Sequence, residues 1–282
     1  MGPRAFFPAL AATSLAAAIS VALALGTALM TPPAFADAAP AGAGTADLAK
    51  QLSNPVASLI SVPFQLNWDT GVGLENDTRF LINFQPVMPF SMSQDWNLIA
   101  RVIVPIVSQP HDGTASSGIS DILLTGFFSP AVPRGLIWGV GPVLLLPTTA
   151  DPLLGTEKWG AGPSFLVLKQ AGPWTLGMLA NHVWSFAGDD QRSDVNQSFL
   201  QPFAVYGWSN GVTFSVNTEA IANWVAASGQ QWTVPMNFTL SKIVKLGKKP
   251  LSLGATYGYY AESPTGGPEW KLRSTLTLLF PK

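Results

Sequence analysis

The sequence predicts an all-β protein, a transmembrane antiparallel β-barrel of about twelve strands behind a cleaved N-terminal signal peptide. The first observation is composition, because 48% of the residues are hydrophobic and only 11% are charged. The second is that no uninterrupted apolar run of about eighteen residues follows the N-terminal region, so we expect no spanning helix. The third is a period-two alternation of apolar and polar residues. A closed barrel is the other structure that satisfies every backbone polar group in lipid.

The N-terminal region has the organisation of an export signal. Met1-Gly2-Pro3-Arg4 supplies one positive charge, an almost uncharged apolar stretch follows, and Ala34-Phe35-Ala36 offers small residues to signal peptidase. We therefore expect a signal peptide at 1–36, a periplasmic linker at 37–57 with a short helix near 47–53, and the barrel at 58–282. A retained membrane anchor is the alternative, and Pro32-Pro33 argues against it. The chain has no cysteine, which excludes disulfides and thiol catalysis.

The predicted strands are segments of about ten to fourteen residues in which apolar and polar side chains alternate. In the first, Val62 and Phe64 lie opposite Ser61 and Gln65. One face of such a strand meets lipid and the other meets the lumen. The segments lie near 58–69, 78–90, 97–108, 120–129, 136–147, 159–170, 174–186, 197–208, 212–224, 232–244, 251–262 and 270–280.

Two features depart from the simple pattern. The fourth to sixth segments place apolar residues on the expected inner face, which indicates a narrow or partly apolar interior; these are Leu123, Phe127, Val143, Leu145, Leu166 and Leu168. Prolines also occur inside predicted strands, at Pro63, Pro86, Pro105, Pro142, Pro163, Pro202 and Pro235. Because proline removes a donor from the ladder, we expect either repeated bulges or shorter, bent strands.

The connections alternate in length, as expected when both termini are periplasmic. The short turns lie at 91–96, 130–135, 171–173, 209–211 and 245–250. The longer, more polar connections, expected to be extracellular, lie at 70–77, 109–119, 148–158, 187–196, 225–231 and 263–269. Most acidic residues fall on the expected extracellular side. Acidic loops of this kind suggest divalent cations that bridge lipopolysaccharide, so outer-membrane lipid and lipopolysaccharide are expected partners.

All ten tryptophans fall near the ends of predicted strands, which is typical of the aromatic girdles at two membrane interfaces. One group marks the expected periplasmic rim: Trp96, Trp138, Trp174 and Trp208. The other marks the opposite rim: Trp68, Trp159, Trp184, Trp224, Trp232 and Trp270. A soluble β-sandwich would instead bury tryptophan in the middle of its strands.

Polar residues on the inner face are the candidates for lining a pore. They are Gln65, Asn67, Asn83, Gln85, Arg101, Asn181, Asn217, Glu219, Asn237, Lys271 and Arg273. Arg101 and Glu219 lie deepest within their strands, where a charge normally faces the interior and marks a pathway or an internal ion pair. The sequence leaves both interpretations open.

No catalytic, metal or cofactor site is predicted. The chain has two histidines, and neither His111 nor His182 has a serine at a suitable spacing on the same face; no Gly-x-Ser-x-Gly motif occurs. The glycine-rich segments at 138–142 and 159–163 lack the Lys-Ser/Thr of a phosphate loop. A net charge of −1 offers nothing to nucleic acid.

Several segments resemble a bacterial outer-membrane family. The first runs from Gln51-Leu52-Ser53-Asn54-Pro55 to Gln65, and two others are Trp138-Gly139-Val140-Gly141-Pro142 and Trp159-Gly160-Ala161-Gly162-Pro163. The remaining segments lie at 96–101, 118–121, 128–130, 181–185 and 279–282. The family is associated with the meta pathway of phenol degradation, and its members are often labelled transporters or, mistakenly, neuromedin U. The resemblance implies a barrel in the outer membrane, inserted by the barrel-insertion machinery, and uptake of aromatic or hydrophobic compounds. The final Phe280 is followed by Pro281-Lys282, whereas assembly signals usually end on the aromatic residue.

The leading hypothesis is therefore an outer-membrane channel for passive uptake of small solutes, aromatic or hydrophobic ones among them. A closed structural or sensory barrel is the second hypothesis, supported by the apolar inner positions. A lipid-modifying barrel enzyme is the third.

Overall fold

The structure is a computed structural model that describes residues 44–111, 113–149, 151–247 and 249–281. The predicted signal peptide at 1–36 and the first part of the predicted linker, 37–43, lie outside the described residues. The described chain begins with α1 (Thr45–Leu52), which matches the short helix expected near 47–53. No helix among the described residues combines the length and apolarity needed to cross a membrane.

Fifteen strands follow α1. Their bounds are β1 (Leu59–Val72), β2 (Asp77–Phe84), β3 (Val87–Ser91), β4 (Trp96–His111), β5 (Thr114–Ile119), β6 (Ile122–Pro130), β7 (Leu136–Leu146), β8 (Lys158–Ala171), β9 (Trp174–Gly188), β10 (Asn196–Gly207), β11 (Val212–Thr218), β12 (Ala220–Asn223), β13 (Trp232–Leu246), β14 (Lys249–Glu262) and β15 (Trp270–Pro281).

These fifteen strands form twelve barrel staves, because three staves are each interrupted once. β2 and β3 form one stave, as do β5 with β6 and β11 with β12, with breaks at 85–86, 120–121 and 219. All neighbouring staves pair antiparallel, and β15 pairs β1 from Leu59↔Pro281 to Thr70↔Trp270, which closes the barrel. Within the described residues, the predicted twelve-stranded antiparallel barrel is confirmed.

The prediction of a loop at 109–119 is wrong. β4 continues to His111 and β5 starts at Thr114, so this segment is an extension of the hairpin above the barrel. Its serines and threonines suggested a loop, but the segment pairs as two strands, and the Ser117–Ser108 hydrogen bond of 2.9 Å joins hydroxyl groups across them. Gly113 has a φ of 73°, a left-handed conformation that glycine adopts without strain.

The prolines inside strands cause local breaks rather than the loss of a strand. At Pro86 the ladder is interrupted between β2 and β3 without a change of register. At Pro235 a bulge shifts the β13–β14 register by one residue. Opposite Pro105, the register of β5 with β4 differs by one residue from that of β6 with β4. Both expected solutions therefore occur: the register shifts near Pro105 and Pro235, and the strand is divided into shorter pieces at Pro86.

Two glycines that precede prolines bring neighbouring backbones unusually close. A Cβ atom on Gly141 would overlap the carbonyl oxygen of Gly126, and one on Gly162 would overlap that of His182. The β6–β7 and β8–β9 ladders each skip residues at these points. Glycine is thus required here for close approach at a bend, which is one of its ordinary roles in strands.

The barrel interior holds an apolar cluster on one side. Its buried members come from β4, β6, β8, β9 and the segment before β1: Val56, Ile99, Phe127, Leu166, Leu168 and Leu179. Four of the residues expected to face inward are at most 1% exposed: Phe127, Val143, Leu166 and Leu168. The partly apolar interior expected from the sequence is therefore present.

The helix α1 lies at the end of the barrel that carries the termini. Leu48 and Ala49 pack against Leu59, Ile243 and Leu279, which belong to β1, β13 and β15. The opposite side of α1 is tied to the β8–β9 hairpin, where the Gln170 side-chain amide donates to the carbonyl oxygen of Lys50 at 2.9 Å. The helix is thus fixed on two sides of the barrel mouth.

Candidate functional site

A partly buried carboxylate connects strands that are three staves apart in the barrel wall. Glu219, at the break between β11 and β12, accepts two hydrogen bonds from the Arg273 guanidinium, at 2.7 and 2.8 Å. Its Oε2 atom also lies 3.0 Å from Nζ of Lys271. Arg273 and Lys271 belong to β15, and β13 and β14 lie between them and Glu219 in the barrel wall. The contacts therefore cross the interior, and the paired Arg273 fork fixes the geometry.

The same group continues to β1, β2 and β14. Asp69 binds Arg79, with 2.7 Å between Oδ2 and Nη2, and its other oxygen accepts from the Tyr260 hydroxyl at 3.1 Å. The Lys271 ammonium lies 5.7 Å from the centre of the Tyr260 ring. We call this set of Asp69, Arg79, Glu219, Tyr260, Lys271 and Arg273 the interior ion network.

Neutral side chains support this network. The Nε atom of Arg273 also donates to Oδ1 of Asn67, and the Asn67 amide donates to the Leu81 carbonyl at 3.0 Å. Asn67 is only 1% exposed, so its hydrogen bonds compensate for the loss of water. Gly258 makes room for the network, because a Cβ atom there would collide with the Lys271 side chain and the Asn237 amide.

Arg101 is arranged differently from the other interior cations. Its Nη2 atom donates to Oε1 of Gln85 at 3.2 Å, and Gln85 in turn donates to Gln65 at 3.2 Å. Within the described residues Arg101 forms no salt bridge, although Glu219 is near enough to act on it electrostatically. Ile99, on the same face of β4, belongs to the apolar cluster. Arg101 therefore lies where the apolar and charged sides of the interior meet.

The predicted pore-lining residues fall into three bonded groups. Gln65, Gln85 and Arg101 form one, and Asn67 joins Glu219, Lys271 and Arg273 in another. The third is Asn237, which donates to Asn217 at 3.0 Å. Asn83 and Asn181 are partly buried and join none of these groups within the described residues. That these side chains line a solute path remains a prediction.

Sequence reasoning missed part of the site. Asp69 is absent from the predicted pore-lining residues, although it is 3% exposed and faces Arg79 directly in the β1–β2 register. The alternation of β2 already placed Arg79 on the inner face. The signal that identifies this pair is an acid and a base on the inner faces of successive strands, both near the loop that joins the strands.

The tryptophans lie at the two rims. Eight are 37–49% exposed, and Trp138 and Trp232 are partly buried. Rings pair edge to face along the rims, as in Trp96–Trp138, whose strands β4 and β7 flank β6, and Trp224–Trp232, each with 5.8 Å between ring centres. Their role as a membrane girdle remains a prediction, which these positions favour.

The structure also joins a histidine and a serine on the outer surface. The Nδ1 atom of His182 on β9 lies 2.7 Å from Oγ of Ser198 on β10, and the Trp224 indole donates to the same oxygen at 2.9 Å. Sequence analysis identified no serine partner for His182, because the pair depends on the β9–β10 register. The buried Nε2 atom of His182 has no hydrogen-bond partner within the described residues, so no third group orients the ring as in a catalytic triad.

A cavity of about 290 Å³ lies between α1 and the barrel wall. It is bordered by α1 on one side, including Ala46 and Lys50, and by Thr175, Val205 and Thr213 on the other. Thr213 hydrogen-bonds to Ser241 at 2.6 Å, so the polar wall continues to this end of the barrel.

Comparison with solved structures identifies the class of barrel. An outer membrane channel from Pseudomonas putida F1 is similar over 89% of this chain and 100% of its own, with a TM-score of 0.62 and 15% identity. The NanC porin is similar over 79% of this chain and 100% of its own, with a TM-score of 0.51 and 12% identity. The fold is that of an outer-membrane β-barrel. No family model matches the chain, and no curated protein matches it either.

Proposed function

We propose that this protein is an outer-membrane channel for passive uptake of small solutes, aromatic or hydrophobic ones among them. The observation that carries the proposal is the two-sided interior, with the ion network on β11–β15, β1 and β2 and the apolar cluster on β4–β9. Such an interior offers polar contacts and an apolar surface to the same solute, as small-molecule sites generally do. The similar channel and porin folds support the same function.

The expected surroundings follow from this function. The barrel would contact outer-membrane lipid and lipopolysaccharide through its tryptophan rims and acidic loops, and the insertion machinery would assemble it. The resemblance to the family of the phenol meta pathway supports aromatic solutes. The proposal assigns no cofactor and no metal to the barrel.

Conductance tests the proposal directly. Purified, folded protein is inserted into planar lipid bilayers, and solute uptake is followed in parallel by swelling of liposomes loaded with an impermeant sugar. We expect discrete conductance steps and faster swelling in a small aromatic solute than in a sugar of larger size. A folded barrel that gives neither conductance nor swelling would refute the proposal. Folding is checked by the shift in gel mobility between unheated and heated samples.

A closed structural or sensory barrel is the second candidate. The specific observation in its favour is that Ile99, Phe127 and Leu166 are at most 1% exposed although they point into the barrel. Packing of this kind fills part of the interior, and α1 occupies one mouth. Under this alternative the intact protein does not conduct, and neither does a variant that lacks residues 45–52. Under the channel proposal that deletion increases the conductance.

A lipid-modifying enzyme is supported by one contact, the pairing of His182 with Ser198 on the outer face. A serine activated by histidine is the usual nucleophile of acyl transfer. The test is hydrolysis of phospholipid by the purified barrel. Activity that is lost in both His182→Ala and Ser198→Ala would support this function, and absence of hydrolysis in the folded wild type would exclude it.

A further inference from the structure

The interior of the barrel carries an excess of positive charge. The interior ion network contains three cations, Arg79, Lys271 and Arg273, and two carboxylates, Asp69 and Glu219. Arg101 adds a fourth cation and no further carboxylate. Within this group, four cations against two anions leave a difference of two positive charges.

One of these two positive charges belongs to Arg101, and the other arises because Glu219 binds both Arg273 and Lys271. Both carboxylates of the network already bind cations, Asp69 with Arg79 and Glu219 with Arg273 and Lys271. The guanidinium of Arg101 has five donors and, within the described residues, uses one of them on the neutral Gln85 amide. A partly buried cation without a paired anion is costly, and in membrane proteins such a charge normally faces a pathway or an internal ion pair.

The surroundings of Arg101 specify what kind of anion would fit. Ile99 lies two residues away on the same inner face of β4, and Val87, paired with Arg101 across the ladder, packs against the same apolar cluster. An inorganic ion would bind the guanidinium but gain nothing from the partly exposed apolar side chain of Val87. A molecule with a carboxylate at one end and an apolar body could use both, with its carboxylate held by the planar guanidinium fork.

We infer that the interior binds small organic carboxylates with an apolar or aromatic body, with the carboxylate on Arg101 and the body against Val87, the partly exposed side chain at the edge of the apolar cluster. This inference rests on the proposed channel function and names the class of its solute. Arg101 is the residue that recognises the charged group. The apolar surface at Val87 selects against carboxylates that lack an apolar body.

Three probes of similar size separate charge from shape: benzoate, the neutral benzyl alcohol and the cation benzylamine. Each is added to single channels in KCl, and the concentration that halves the current is measured. For the wild type we expect benzoate to block at roughly a tenfold lower concentration than benzyl alcohol, because a hydrogen bond to a charged group increases affinity about tenfold or more. Benzylamine should block least. Acetate, which lacks the ring, should block more weakly than benzoate.

Variants then locate the effect. In Arg101→Gln, the advantage of benzoate over benzyl alcohol should fall to about twofold or less, as expected when the charge-assisted bond is lost, and the anion preference in a KCl gradient should decrease. Arg101→Lys keeps the charge without the fork, so it should keep the anion preference and lose part of the benzoate block. Lys242→Gln removes one charge from an exposed position on β13 and should leave both properties unchanged.

The outcomes distinguish the inference from the function on which it rests. Equal block by benzoate and benzyl alcohol in the wild type, or an unchanged advantage in Arg101→Gln, would overturn the inference while leaving a working channel. Absence of conductance would overturn the channel function instead. Binding of benzoate is then measured on the detergent-solubilised barrel by NMR, where line broadening of benzoate by the wild type but not by Arg101→Gln supports the inference, and equal broadening overturns it.

Discussion

Replacement of Glu219 by glutamine removes the carboxylate that holds two buried cations. Arg273 and Lys271 have side chains that are 10% and 4% exposed, so neither can recover its lost partner from bulk water. Breaking a buried ion pair by removing one partner costs about 3–5 kcal/mol. Because glutamine still accepts a hydrogen bond, we expect the lower end of that range, about 3 kcal/mol.

Urea unfolding of the purified barrel measures this loss. With a dependence of about 2 kcal/mol per molar urea, the unfolding midpoint should fall by about 1.5 M. Glu75→Gln is the matched control, because Glu75 is exposed in the loop between β1 and β2 and its replacement should leave the midpoint unchanged. The double variant Glu219→Gln with Arg273→Gln should regain part of the lost free energy of unfolding, because it removes one of the two buried cations that Glu219→Gln leaves without a partner.

Equal midpoints for Glu219→Gln and Glu75→Gln would refute this reasoning. That result would mean that Arg273 and Lys271 are hydrated well enough to do without the carboxylate, and the interior ion network would not stabilise the fold. Absence of any recovery in the double variant would show that Glu219 acts independently of Arg273.

Two further predictions concern the ends of the barrel. If solute leaves through the cavity beside α1, a positively charged thiol reagent should reduce the conductance of Thr213→Cys, because Thr213 borders that cavity. Phe214→Cys is the control, because the Phe214 side chain is exposed on the outer face and the chain has no native cysteine to react. Equal inhibition of both variants would contradict this exit path. At the other end, the Ser185 hydroxyl and then the Lys158 ammonium hold the pKa of Asp194 below its usual range. The contribution of Asp194 to stability should therefore be complete above the pKa of an unfolded aspartate, about 3.9, and be lost as the pH falls through the lower pKa of the folded protein. An NMR titration that places the pKa of the Asp194 carboxyl at or above about 3.9 would contradict this prediction.

The barrel itself could be predicted from the sequence because its determinants are local. Alternation with a period of two assigns each residue of a strand to one face, and the parity of short and long connections fixes an even number of staves. This reasoning assigned Asn67 and Glu219 to the same face as Gln65, and the interior contacts of Asn67 and Glu219 agree with it. It failed at 109–119, where serine and threonine are equally suited to a polar loop and to a hairpin exposed on both faces.

The contacts of the site could not be predicted, because they depend on how far the staves are shifted past one another. Glu219 and Arg273 are 54 residues apart, and Asn67 and Arg273 are 206 apart. Which inner residues stand at the same height depends on the tilt and stagger of the closed barrel, which alternation does not encode. The same dependence explains why the pairing of His182 with Ser198 was not foreseen.

The order of the strands explains why a partly apolar sequence produces a one-sided interior. Consecutive staves are neighbours in the barrel, so apolar inner residues that are spread over successive strands, from β4 to β9, must form one continuous wall. The charged inner residues of β15, β1 and β2 form a second wall, because closure of β15 on β1 makes the two ends of the sequence adjacent. Arg101, on β4, lies at the edge where these walls meet. A solute with one charged end can therefore contact both walls at once only near this edge, and its carboxylate would be oriented by Arg101 as it passes.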